Sequence, residues 1–133
     1  MGAAIQSFLK STLVVIPAYN EEAALAGLLQ EAHASLGGAT IAVVDDGSAD
    51  DTAAVAQKHG ALVLRLPCNL GVGPAIQTGF KYALEHSFDY VLRLDGDGQH
   101  PPAEALKLVA AVPAVHEDLI VLTRNGVNSA QQG

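Results

Sequence analysis

Five short apolar runs, each closed by a turn-forming or polar cluster, limit what this chain can become. Thr12-Leu13-Val14-Val15-Ile16 stops at Pro17, and Thr40-Ile41-Ala42-Val43-Val44 stops at Asp45-Asp46-Gly47-Ser48. Leu62-Val63-Leu64-Arg65-Leu66 stops at Pro67, and Tyr90-Val91-Leu92-Arg93-Leu94 leads into Asp95. Asp118-Leu119-Ile120-Val121-Leu122 is the fifth run. Each is too short for a buried helix. Strands apolar on both faces belong to a parallel sheet covered by helices.

The segments between the runs carry helical spacing. Ala24, Leu25, Leu28, Leu29 and Ala32 share one face after Asn20, and Ala53, Ala54 and Val55 begin a second helix. Ser48 and Asp51 have the spacing of a capping box for that helix, and Gly60 follows its last turn. Ile76, Phe80, Ala83 and Leu84 repeat at helical intervals. Leu106, Val109 and Ala110 do so again between Pro101-Pro102 and Pro113. The pattern predicts an α/β fold, a three-layer sandwich around a mostly parallel sheet. One domain spans residues 12–122, after an N-terminal extension of residues 1–11. Residues 123–133 are polar and glycine-bearing, and are expected to form a flexible tail.

Half of the 133 residues are hydrophobic and 16% are charged, a composition with enough apolar surface for one real core. The formal charge is -7 and no basic block stands out, which argues against a nucleic-acid surface. Cys68 is the single cysteine, so an intramolecular disulfide and a cysteine-built zinc site are excluded. It is expected to pack as a small hydrophobe. No stretch reaches the length of a transmembrane span, and the first residues lack the pattern of a secretion signal. The expected location is cytoplasmic, with the membrane surface as a second setting.

In a parallel sheet, ligands gather beyond the carboxyl ends of the strands. That edge carries Pro17-Ala18-Tyr19-Asn20-Glu21, Asp45-Asp46-Gly47-Ser48 and Asp95-Gly96-Asp97-Gly98-Gln99. Asp95, Asp97 and Gln99 place three oxygen-bearing side chains at alternate positions. These are the hard ligands that Mg²⁺ or Mn²⁺ prefers, commonly beside a substrate phosphate. The same residues also suit a plain turn. Tyr19 can stack on a planar base or cover the sheet edge. Asp46 can accept hydrogens from a base or sugar, while Asp45 and Asp46 both suit turn and cap roles. Gly71-Val72-Gly73 lacks the dinucleotide fingerprint and fits a tight helix entry. His100 is the histidine beside this edge and suits either a ligand contact or the helix turn. A phosphoacceptor receiver fold needs a lysine after a late strand, which this sequence lacks.

With those residues in order, the chain resembles the inverting glycosyltransferases of family two. Val15-Ile16-Pro17-Ala18-Tyr19-Asn20-Glu21-Glu22 resembles their opening motif, and Val43 through Thr52 their second. Asn69-Leu70-Gly71-Val72-Gly73-Pro74-Ala75, with Gly79, resembles the third. Leu94-Asp95-Gly96-Asp97-Gly98-Gln99-His100-Pro101-Pro102 resembles the metal motif, in the style of dolichyl- and polyprenyl-phosphate sugar transferases. The resemblance implies a truncated, Rossmann-like nucleotide-binding half of the GT-A fold. It implies nucleotide binding by Pro17, Ala18, Tyr19, Glu21, Asp46 and Asp95. It implies Mg²⁺ or Mn²⁺ on Asp95, Asp97 and Gln99. The implied chemistry is inverting transfer from a UDP- or GDP-sugar to a lipid phosphate, such as a polyprenyl phosphate, or to a glycan. A non-catalytic nucleotide or nucleotide-sugar binding module is the alternative. Family members are longer, and their later half carries the acceptor pocket, the catalytic acidic residue and basic diphosphate contacts. No catalytic base is identified here, and whether these residues suffice for an enzyme stays open. Uncovered sheet edges predict self-association into a homo-oligomer.

Overall fold

The computed structural model describes residues 3–95, 120–123 and 126–129. Within them the order is α1 (Ala3–Lys10), β1 (Thr12–Ala18), α2 (Glu22–Ser35), β2 (Thr40–Asp45), α3 (Thr52–Lys58) and β3 (Leu62–Arg65). Then follow α4 (Val72–Glu85), β4 (Tyr90–Arg93), β5 (Ile120–Thr123) and β6 (Gly126–Ser129). The strands form one sheet in the order β3-β2-β1-β4-β5-β6. β1 pairs in parallel with β2 and β4, and β2 in parallel with β3. β5 and β6 add antiparallel. The architecture is the expected sandwich, with a helical layer on each face.

β1 explains why the apolar runs do not alternate with polar residues. Val14, Ile16 and Ala18 pack into one core cluster with Leu9 of α1, Leu25 and Leu29 of α2 and Ala56 of α3. Leu13 and Val15 pack into the other, with Ala75, Ile76 and Ala83 of α4. Successive side chains leave opposite faces, so a strand covered on both must be apolar throughout. The expected α2 face is buried at Leu25, Leu28, Leu29 and Ala32, while Ala24 is exposed. In α4, Leu84 is 59% exposed.

β1 runs one residue past Pro17, the expected stop, with Pro17 opposite Val44 and Ala18 opposite Asp45. The register explains this tolerance. The Val15 carbonyl accepts the Leu94 N–H on the β4 side, and Pro17 points to that same side two residues later. Pairing with β4 has already ended at Val15 and Arg93, so the absent proline N–H costs no ladder bond.

Three further differences have physical causes. Ser48 and Asp51 form no capping box. α3 starts at Thr52, Asp51 makes no side-chain cap bond, and the Ser48 hydroxyl accepts the Asn20 N–H instead. Within the segment expected to fray, Gly126–Ser129 forms β6, with Thr123 opposite Gly126. A short antiparallel strand needs no continuous apolar run, so the sequence pattern passes over it. The extension before β1 contains α1, whose Leu9 is fully buried. The helix expected around Leu106, Val109 and Ala110 lies outside the described residues.

α4 approaches β1 closely at Gly79. A Cβ there would stand 2.6 Å from one Val15 methyl and 2.8 Å from the other. Gly79→Ala gains roughly 1 kcal/mol of helix propensity but overpacks the core, at a cost of about 1–3 kcal/mol. We expect a net loss, read as a lower urea midpoint with an unchanged slope. A midpoint at or above that of the parent would contradict this packing.

Candidate functional site

The loops after β1, β2 and β3 are tied together by hydrogen bonds that centre on the second. Asn20 has a φ of 53°, in the left-handed region that asparagine tolerates. Its N–H donates to the Ser48 hydroxyl at 2.9 Å, and its side-chain oxygen accepts the Ala49 N–H at 2.9 Å. The Glu21 N–H donates to the Thr52 hydroxyl oxygen at 3.0 Å, and the Glu22 N–H reaches Asp50 at 3.3 Å. Asp50 also accepts from the Thr52 hydroxyl and N–H. The hydroxyl bond leads in holding the Asp50 carboxyl below the usual aspartate value; desolvation opposes it, and the Thr52 and Glu22 N–H groups assist. Asp45 braces its own loop by accepting the Ser48 N–H at 3.0 Å, and its other oxygen lies 3.5 Å from Arg65 Nε.

Asp46 ties in the third loop. It is 4% exposed. Its Oδ1 accepts the Leu70 N–H at 2.8 Å; its Oδ2 accepts the Gly71 N–H at 2.9 Å and the Asn69 side-chain amide at 3.0 Å. Gly47 makes this approach feasible. Its φ is +72°, and a Cβ would fall 2.3 Å from the Cys68 carbonyl carbon. Cys68 is exposed, against the expectation of burial, because its backbone packs on Gly47 while its side chain lies on the outside of the loop.

Above these loops lies a cleft of about 290 Å³ lined by Pro17, Ala18, Tyr19, Glu21, Asp46, Val72, Arg93 and Asp95. It sits where the chain passes from β1 to β2 on one side and is met by β4 on the other, the switch point at which such sheets leave a crevice. Tyr19 and Val72 are about half exposed at its mouth. The Arg93 Nη2 lies 3.4 Å from Asp95 Oδ1. All six residues expected around a nucleotide, Pro17, Ala18, Tyr19, Glu21, Asp46 and Asp95, line this one cleft. Asp97, Gln99 and His100 lie outside the described residues. Sequence reasoning passed over Val72 and Arg93 as cleft residues. Arg93 had a usable signal: it stands two positions before Asp95, so both fall on one side of the strand direction.

The family model of glycosyl transferase family 2 matches residues 13–132. The chain belongs to this family. An uncharacterized protein of Methanocaldococcus jannaschii is 39% identical over 111 residues, covering 84% of this chain and 45% of its own length. The polyprenol monophosphomannose synthase of Mycolicibacterium smegmatis is 35% identical over 109 residues, covering 77% of this chain and 41% of the synthase. The chain thus spans less than half the length of these relatives. Among solved structures, glucosyl-3-phosphoglycerate synthase of Mycobacterium tuberculosis, crystallised with Mn²⁺, UDP and glucosyl-3-phosphoglycerate, aligns with a TM-score of 0.56 at 27% identity. The alignment covers 72% of this chain and 38% of the synthase. The expected nucleotide-binding half of a Rossmann-like GT-A fold agrees with these matches and with the sheet order. Among the described residues no helix is long and apolar enough to cross a membrane.

Asp46→Ala removes the shared acceptor of the third loop. Hydrogen bonds to a charged group contribute about 1.5–3 kcal/mol each, reduced here because the freed amides can reach water. We expect a loss of roughly 1.5–3 kcal/mol and faster hydrogen exchange at Leu70 and Gly71. Unchanged protection at both amides would rule out this role for the carboxylate.

Proposed function

We propose that the cleft holds the nucleotide of a UDP- or GDP-sugar. The chain then forms the donor side of an inverting, metal-dependent sugar transfer to a polyprenyl phosphate or a glycan. The observation that carries this reading is the meeting of six sequence-expected residues from three strand ends around one cleft. Tyr19 offers an exposed ring for a planar base. Asp46 has used three acceptor positions on loop hydrogens, which leaves one lone pair of Oδ1 for a base or sugar N–H or O–H. Support for the donor class comes from the UDP and Mn²⁺ in the mycobacterial crystal structure, and for a lipid acceptor from the name of the polyprenol synthase.

Asp95, Asp97 and Gln99 form a hard oxygen donor set suited to Mg²⁺ or Mn²⁺. Asp95 stands at the cleft wall, as that role requires. Among the described residues no three His, Cys, Asp or Glu side chains group closely enough to hold an ion, so Asp97 and Gln99 would complete the set. When bound, the ion neutralises charge on the departing nucleoside diphosphate. The remaining work of these residues is binding and orientation.

Calorimetry with UDP and GDP, each with and without Mn²⁺, tests the reading and identifies the base. We expect binding of one nucleotide strengthened by Mn²⁺, and loss of the Mn²⁺ effect in Asp97→Ala. Folded protein that gives no heat with either nucleotide would sink it.

A second reading, nucleotide binding without turnover, is favoured by how the cleft carboxylates are engaged. Asp46 is committed to the loop, and Asp95 is paired with Arg93. Neither is placed to deprotonate an acceptor, and Glu21, the third cleft carboxylate, is read as a nucleotide-binding residue. We therefore expect the 133-residue chain to transfer sugar poorly or not at all from labelled UDP-glucose or GDP-mannose to a polyprenyl phosphate with Mn²⁺. Sustained multiple turnover would place a base within these residues.

A further inference from the structure

We infer that Arg93 is a phosphate-binding residue of this cleft, an inference that rests on the nucleotide reading above. Arg93 is the last residue of β4, opposite Val15 in the register. Val91 belongs to the α4-side cluster, whereas Leu92 and Leu94 belong to the other. Strand alternation puts Arg93 on the side of Val91, where the α4-side core ends and the cleft opens. Val72, the first residue of α4, lines the cleft with it.

The burial of Arg93 is under-compensated. Its side chain is only 23% exposed, yet its ion pair runs from one terminal nitrogen to Asp95 Oδ1 at 3.4 Å. Charge-assisted N–H···O bonds are shorter, about 2.7–2.9 Å. The Nε is buried and has no hydrogen-bond partner among the described residues. A guanidinium carries five N–H donors in a planar fork, and a partly buried cation with an enclosed, unpartnered donor is costly unless acceptors arrive from elsewhere. Arg93 itself lines the cleft, so acceptors entering there would meet the guanidinium from that side. The acceptors that match the fork are paired oxygens of a carboxylate or phosphate.

The charges of the lining favour phosphate. Among the described residues lining the cleft, Arg93 is the one basic residue, against Glu21, Asp46 and Asp95. Without it, the charged side chains a nucleotide phosphate would face among the described lining residues are all carboxylates. Lysine would supply charge but not the fork, so Arg93→Lys and Arg93→Gln should differ.

NMR shift titrations of the parent chain, Arg93→Gln and Arg93→Lys test this with UDP, UMP, uridine and inorganic pyrophosphate, and with the guanosine series. Melting temperatures confirm folding; if Arg93→Gln fails to fold, Arg93→Lys carries the test. We expect Arg93→Gln to weaken UDP by about 10-fold or more and to leave uridine within about 2-fold, with Arg93→Lys intermediate. Equal loss for uridine and UDP would overturn the inference, because the residue would then serve the nucleoside or only Asp95. Unchanged UDP affinity would overturn it while leaving the nucleotide reading intact. Nucleotides that fail to bind while pyrophosphate binds in an Arg93-dependent way would overturn the nucleotide reading and keep the phosphate site. Failure of nucleotides and pyrophosphate alike would overturn both.

Discussion

The carboxylate of Asp46 is the joint on which the site depends. It leaves the end of β2 and captures two backbone N–H groups and one side-chain amide of the segment before α4. That segment, from Pro67 to Pro74, is otherwise largely exposed and has few apolar contacts to fix it. Side chains such as Leu70, 51% exposed, contribute little by burial. Order in it therefore comes from directional bonds to a buried acceptor and from the backbone contact at Gly47. Since α4 starts at Val72, the same bonds set where that helix begins and so where Val72 meets the cleft.

This joint works only because the sheet presents β1 and β2 at matched heights. Ala18 lies opposite Asp45, and the Asp46 N–H continues the pattern by donating to the Ala18 carbonyl at 2.9 Å. The loop after β1 and the loop after β2 thus leave the sheet side by side. Asn20, Glu21 and Glu22 can then bond across to Ser48, Ala49, Thr52 and Asp50. On the opposite face, α4 reaches β1 because Gly79 has no side chain to hold it away from Val15. One close helix contact and one shared register bring three loops to a common edge.

The residues explain both what was legible in the sequence and what was not. Strands covered on both faces announce themselves as continuous apolar runs, so β1 to β4 could be read directly. The strand ends then predicted the cleft, because polar residues directly after such runs have few other places to go. β6 carried no signal, since antiparallel pairing through backbone groups makes no such demand on composition. Ser48 and Asp51 misled for a related reason. A serine three residues before an acid has the local pattern of a cap, but the stronger claim on Ser48 came from Asn20, 28 residues earlier. Local spacing cannot report a bond made across loops. Arg93 was hidden by its place in an apolar run, where it read as a strand residue and not as a wall of the cleft.

The charge of the whole chain and the charge of the cleft need separate treatment. A formal charge of -7 argues against a broad polyanion surface, yet it says little about a single enclosed anion. What matters locally is whether each carboxylate is already satisfied. Asp46 is met by three hydrogens, and Asp45 by Ser48 and Arg65. A buried carboxylate that accepts several N–H bonds projects much less field into the space beside it than an unpaired one. Acidic residues can therefore crowd the edge of this sheet as structural acceptors and still leave a cleft that an anionic group can enter. The dense acidic spacing in the sequence and an affinity for phosphate are then compatible, because Asp45, Asp46 and Asp50 are spent on holding the loops.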